Sequence, residues 1–262
     1  MADVKPVASL PMYDWPEVHA AHQSLWTAIA ERLRALGVSA PPSLDRSRAS
    51  DSVWRDAGLV LSQTCGFPFS TRLRGIVRLI GTPVYDVPGC DGPYYSSMIV
   101  ARSSEPAERL ADVKGRRFAY NAADSLSGYL ALRGAMKDAH IDPDSASWIE
   151  TGAHRASVRA VAEDFADVAS IDAVCWALAL RYEPEATSRL KIIARTPLRP
   201  GLPFITAVER HDSEVRTIQV AIKEALADPA TQAARAALHI AGLGSFDEFD
   251  YGPIAKLGRL GV

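Results

Sequence analysis

Short apolar runs alternate along this chain with stretches whose apolar residues return every three or four positions. Val7-Ala8-Ser9-Leu10 reads as a short buried strand ending at Pro11-Met12-Tyr13-Asp14-Trp15. From Glu17 to Leu36, the residues Val18, Ala21, Leu25, Ile29 and Leu33 share one helical face, and Gly37 closes the run. Residues 58–62, 75–80 and 97–101 predict further strands, with Pro83, Pro88, Gly89 and Gly92 marking loops between them. A second set begins after Arg102. A turn at 110–115 feeds a strand at Phe118, and a helix over 129–140 follows. Then come a strand at 147–151, a helix at 155–163, a strand at 168–171 and a helix at 173–181. Strands at 191–195 and 204–209 flank the breaker-rich Pro197-Leu198-Arg199-Pro200-Gly201. Helices at 213–226 and 231–240 and a Gly- and Asp-rich tail complete the pattern.

Repeated strand-then-helix units predict an α/β fold of mostly parallel sheets with helices on both faces. In such sheets ligands bind beyond the carboxyl ends of the strands. Here those ends carry Tyr13 and Asp14, Ser62 through Gly66, Asn121 through Gly128, Thr151 through His154, and Asp172. Five strand ends rich in hydrogen-bonding groups are more than helix capping alone requires. Among them, Asp124-Ser125-Leu126-Ser127-Gly128 opens a helix. Backbone N–H groups at a helix start lack intrahelical acceptors and carry partial positive charge, so they suit an anion. Asp124 or Ser125 as a simple N-cap is the competing reading, as is Asp172 capping the helix at Ala173.

The 262 residues suffice for two lobes, and a net charge of −2 without a basic block argues against nucleic acid or an anionic membrane surface as partner. No apolar run approaches the roughly 20 residues of a bilayer span, so no membrane insertion is expected. The opening Met1-Ala2-Asp3-Val4-Lys5-Pro6 lacks the plan of a secretory leader. The chain as written is therefore expected in the cytoplasm, or in the periplasm where a leader has been removed. Cys65, Cys90 and Cys175 lack metal-ligand spacing and read as free thiols. His19 and His22 beside Glu17 are too few for a metal, and a solvated helix face is the expectation. No metal or cofactor site is expected, and neither a GxGxxG nor a P-loop is present.

The order of motifs resembles the phosphate/phosphite/phosphonate substrate-binding proteins of ABC transporters. The resemblance rests on Ala8-Ser9-Leu10-Pro11-Met12-Tyr13, Leu61-Ser62-Gln63-Thr64-Cys65-Gly66, Tyr94-Tyr95-Ser96-Ser97 and Leu110-Ala111-Asp112-Val113-Lys114-Gly115-Arg116-Arg117. It continues through Ser125-Leu126-Ser127-Gly128, Gly152-Ala153-His154-Arg155-Ala156-Ser157 and Asp167-Val168-Ala169-Ser170-Ile171-Asp172. It implies a type 2 periplasmic-binding fold: a first lobe of residues 1–98 and 200–262, an inserted lobe of 99–199, and a hinge of two crossing strands. It implies a solute-binding protein that traps a small anionic or polar, phosphonate- or phosphate-like ligand between lobes, with an ABC transporter permease as partner. Ser125, Ser127 and Gly128 would hold the phosphonyl oxygens, with His154 reaching them from the next strand end. Tyr13 and Tyr94 or Tyr95 would close over the ligand, and Gln63, Thr64 and Asp172 are further candidate contacts. A lyase or precursor synthase on the same fold, and an effector-sensing domain, are the alternatives, because fold does not settle function.

Overall fold

The computed structural model describes residues 4–258. They fall into two compact units. One runs to Asp86 and resumes from Pro200 to Gly252, and the other takes Val87–Arg199 and the chain from Pro253. In chain order the main elements are β1 (Val7–Ser9), α1 (His19–Ala35), β2 (Leu59–Gln63), β3 (Val77–Tyr85), β4 (Ser97–Arg102) and β5 (Arg117–Tyr120). Next are α2 (Ala131–Asp138), β6 (Ser147–Glu150), α3 (His154–Ala162), β7 (Val168–Asp172), α4 (Ala173–Tyr182) and β8 (Leu190–Arg195). Then follow β9 (Phe204–Ala207), α5 (Asp212–Ala227), α6 (Gln232–Leu238) and β10 (Ile240–Gly244). Residues 87–98, expected with the first lobe, lie in the second unit. Strand pairing accounts for this, because β4 is an inner strand of the second sheet with a partner on each side.

The first unit's sheet has the order β1-β2-β9-β3-β10. Of its ladders, β1–β2 is parallel, while β9 is antiparallel to β2 and β3, and β10 to β3. The second sheet, β8-β4-β7-β5-β6, pairs β5 with β6 and β7 in parallel, and β4 with β7 and β8 antiparallel. Both sheets are therefore mixed rather than mostly parallel. Strands joined through a packed helix run parallel, as β5, β6 and β7 do. Strands that lead the chain into or out of a unit, such as β4, β8 and β9, enter against that direction.

Of the predicted face Val18, Leu25, Ile29 and Leu33 are buried and Ala21 is half-buried; Trp26 and Ala30 are buried beside them, and α1 packs on α5 and α6. The helix ends with Val38 N–H donating to the Leu33 carbonyl (2.9 Å) and Gly37 N–H to that of Arg34 (3.0 Å). Gly37 holds φ 80°, a left-handed turn that glycine adopts without a Cβ penalty. His22 corrects the solvated-face expectation. It lies one turn before Leu25 and Trp26 on the same stripe and is buried, with Nδ1 3.4 Å from Asp14 Oδ1. Burial, opposed by the Asp14 carboxylate, pulls its pKa down to about 4.

Two further differences concern strands. β3 continues through Pro83, because β9 pairs with its Val77–Gly81 half and only β10 pairs with Thr82–Tyr85. Beyond Gly81 no described strand pairs with the β9 side of β3, and a strand with one unpaired side tolerates proline. The segment read as a tail contains β10 and a last helix, Gly252–Leu257. In the second unit Ile99, Leu110, Phe118, Leu132, Met136 and Val168 form the centre of the core beneath its sheet. Among the described residues no helix is long and apolar enough to cross a membrane.

Candidate functional site

Because β6, β5 and β7 are parallel and adjacent, their carboxyl ends leave the second sheet along one edge. That topology brings the Ser125–Gly128 helix start, the 151–154 turn and Asp172 to a common side. Thr151 N–H and Oγ1 both donate to the Tyr120 carbonyl, at 2.8 and 2.9 Å. This ties the turn after β6 to the end of β5. Thr151 Oγ1 also lies 2.6 Å from Ser157 Oγ, which fixes the start of α3 and so the place of His154.

Ser125 is the N-cap of the helix that follows β5, and its hydroxyl accepts from Gly128 N–H at 3.1 Å. The first turn, Leu126–Leu130, is a π turn in which Leu130 N–H reaches the Ser125 carbonyl (3.0 Å), and it leads directly into α2. A widened first turn leaves more amides without intrahelical acceptors than an α turn does, and such turns recur at functional sites. Ser127 Oγ is 2.9 Å from His154 Nε2 and 3.5 Å from Ser125 Oγ. Ser170, in the middle of β7, donates its hydroxyl to the Ser127 carbonyl at 2.6 Å. Burial pulls the His154 pKa down to about 4, against the opposing effect of the Ser170 carbonyl. The imidazole is thus neutral at pH 7.

The basic side chains nearby are engaged elsewhere. Arg155 pairs with Glu183, Arg159 Nη2 lies 2.6 Å from the same carboxylate, and Arg133 is 2.5 Å from Asp144. What the helix start offers is neutral: hydroxyls, an imidazole and main-chain amides. An oxyanion can be held by such a set without a partner cation. Asp172 Oδ1 accepts from Val174 N–H (2.8 Å) and Cys175 N–H (3.3 Å), so this carboxylate caps α4. Tyr94 and Tyr95, expected from the first lobe, sit in the second unit. They pair with Asp91 and Cys90 in a short hairpin, Tyr94 exposed and Tyr95 buried.

The first unit has a separate polar cluster at the ends of β1, β2 and β3. Tyr13 is buried with its ring edge-on to Tyr85, centroids 5.2 Å apart. Gln63 Nε2 donates to Tyr85 Oη at 3.0 Å and to the Leu202 carbonyl at 3.1 Å. Thr64 is fully buried, and its N–H donates to the Pro203 carbonyl at 3.2 Å. Sequence reasoning missed Tyr85, Asn121, Thr151 and Ser170 as individual contributors. Ser170 had a signal, as the one polar residue inside the apolar run of β7. Among the described residues no group of three or more His, Cys, Asp or Glu side chains is arranged to hold a metal ion.

Comparison with known proteins matches residues 73–251 to the family described as the phosphonate, periplasmic substrate-binding protein of ABC transporters. This chain belongs to that family. Solved structures share its fold. A structure of PhnD1 from Prochlorococcus marinus with methylphosphonate has TM-score 0.73 at 14% identity, covering 98% of each chain. The binding-protein component PA3383 of a Pseudomonas aeruginosa ABC phosphonate transporter has TM-score 0.73 at 18% identity, over 98% of this chain and 86% of that one. XAC2383 from Xanthomonas citri bound to ATP has TM-score 0.71 at 17% identity, over 98% and 96%. No curated protein sequence matches the chain. As a phosphonate substrate-binding family member, the chain is a small-molecule binder of the type 2 periplasmic-binding fold, as its motif order implied.

Proposed function

We propose that this protein binds a small phosphonate- or phosphate-type oxyanion through the helix start at Ser125–Gly128 and passes it to an ABC transporter permease. The observation that carries this reading is the Ser127 Oγ–His154 Nε2 contact of 2.9 Å at the first turn of a helix. The hydroxyls of Ser125 and Ser127, the amides near Gly128 and the neutral imidazole of His154 supply directional hydrogen bonds, and the helix dipole supplies the favourable field. Tyr94, Tyr95 and Asp172 of the same unit are further proposed ligand contacts. Methylphosphonate with PhnD1 and ATP with XAC2383 both present tetrahedral phosphorus oxyanions, which supports this ligand class. The family's description as periplasmic favours the periplasm as the site of action over the cytoplasmic alternative.

Isothermal titration with methylphosphonate, inorganic phosphate and sulfate tests the ligand class. Saturable binding of a phosphorus oxyanion, weakened by Ser127→Ala, is the expected result. No binding of any of the three, together with mass spectra of copurified material free of phosphorus compounds, would reject it.

A further inference from the structure

The residue after Ser127 is a glycine for a reason that involves another side chain. A Cβ at Gly128 would lie 1.9 Å from Asn121 Oδ1 and 3.1 Å from His154 Cε1. The carboxamide of Asn121 and the edge of the imidazole thus occupy the space that any larger residue at 128 would claim. Asn121 Oδ1 is sealed from solvent and accepts no N–H or O–H hydrogen bond. Buried acceptors are almost always paired, so a specific exception needs an explanation. The oxygen and the imidazole Cε1 both border the one position that a Cβ at 128 would take.

We propose that Asn121 is a positioning residue of the oxyanion site: its carboxamide, admitted by the missing side chain at Gly128, wedges the His154 ring against Ser127. The inference rests on the reading of Ser127 and His154 as ligand contacts, and it assigns Asn121 no ligand contact of its own. Ser127 on the helix start and the Ser170 carbonyl of β7 meet the ring, and its Cε1 shares the space beside Gly128 with the Asn121 carboxamide. Arg155, beside it on α3, is held by Glu183. The wedge therefore acts on a neutral ring whose freedom is limited by packing. Removing the carboxamide opens a void beside the ring, and adding a methyl at 128 expels the carboxamide. Both changes act through one volume, so their effects should not add.

The test is a double-mutant cycle of Gly128→Ala and Asn121→Ala, read by isothermal titration with methylphosphonate and inorganic phosphate. Imidazole NMR titration of the unliganded proteins supplies the second readout. Each single variant is expected to weaken binding by roughly tenfold, the equivalent of one misplaced hydrogen bond. The double variant should bind no more weakly than Gly128→Ala alone. In Asn121→Ala the His154 pKa, about 4 in the wild type, should climb toward the ordinary 6.5 as water reaches the ring. Additive losses across the cycle, or an unchanged His154 titration in a folded Asn121→Ala protein, would overturn the proposal. If the wild type binds neither probe, the ligand reading fails while the His154 titration still decides the wedge.

Discussion

The polar clusters of the two units are built on opposite principles. In the first unit's cluster the buried polar side chains largely satisfy one another. Gln63 bridges Tyr85 and the Leu202 carbonyl, Ser9 Oγ lies 2.9 Å from Ser62 Oγ, and Tyr251 Oη joins Thr82 Oγ1 (2.6 Å) to the Gly201 carbonyl (2.9 Å). In the second unit the helix start is only partly closed. Ser125 meets Gly128 N–H and Ser127 meets His154, while Asn121 Oδ1 and His154 Nδ1 are buried without a hydrogen-bond partner. A satisfied network fixes one arrangement of its strands. A partly satisfied one keeps capacity for a ligand. The comparison predicts that substitutions in the first cluster act mainly on stability, and those at the helix start mainly on affinity.

Acid should give the largest effect and strike both units. His22 in the first and His154 in the second have folded-state pKa values lowered to about 4 from 6.5. A lowered imidazole pKa contributes stability that is present above pH 6.5 and is lost as pH falls toward 4, because the unfolded chain takes up the proton first. At about 1.4 kcal/mol per pH unit, each histidine accounts for on the order of 3 kcal/mol. Thermal melts from pH 7 to pH 4 should show this loss, and a His22→Phe protein should show about half of it. A flat profile across that window would break the assignment of both rings as buried and neutral.

Next in size is Ser127→Ala. Losing a hydrogen bond to a charged acceptor costs about 1.5–3 kcal/mol, a fall in affinity of roughly ten- to a hundredfold. Calorimetry with methylphosphonate measures this against Ser104→Ala, and the comparison fails if the two variants bind equally. Gln63→Leu should do the reverse, lowering unfolding free energy by about 1–3 kcal/mol because Tyr85 Oη and the Leu202 carbonyl lose their buried donor. Urea denaturation reads the change; an unaltered midpoint would mean that the first cluster is looser than its hydrogen bonds suggest. Tyr251→Phe is the mildest, about 1 kcal/mol of stability, since the ring stays packed 4.9 Å from Phe69 and only the hydroxyl is lost. A comparable loss of ligand affinity in this variant would blur the contrast between the clusters.

Local periodicity carried most of the secondary structure: the α1 stripe, the apolar runs of β2, β5 and β7, and the helices that follow β5 and β7 were legible. Ser125 and Ser127 were legible as hydroxyls at a helix start, and the family resemblance added His154 from the next strand end. Strand direction was not legible, since β4, β8, β9 and β10 pair with partners far away in the chain. A strand's own residues do not record which way its neighbour runs. The same holds for Pro83, tolerated in β3 because no described strand pairs with one side there, and for His22, which periodicity placed on a helix but not against Asp14. Ser170 looked like an ordinary strand residue until folding set it against Ser127, and Asn121 was read only as the edge of a polar strand end until folding set it beside Gly128. The sequence by itself determined most of the elements and the hydroxyl-lined helix start, because these depend on residues within a few positions of one another. Only the tertiary structure decided which polar groups close on each other and which stay available, because that depends on contacts between strands that the chain brings together from far apart.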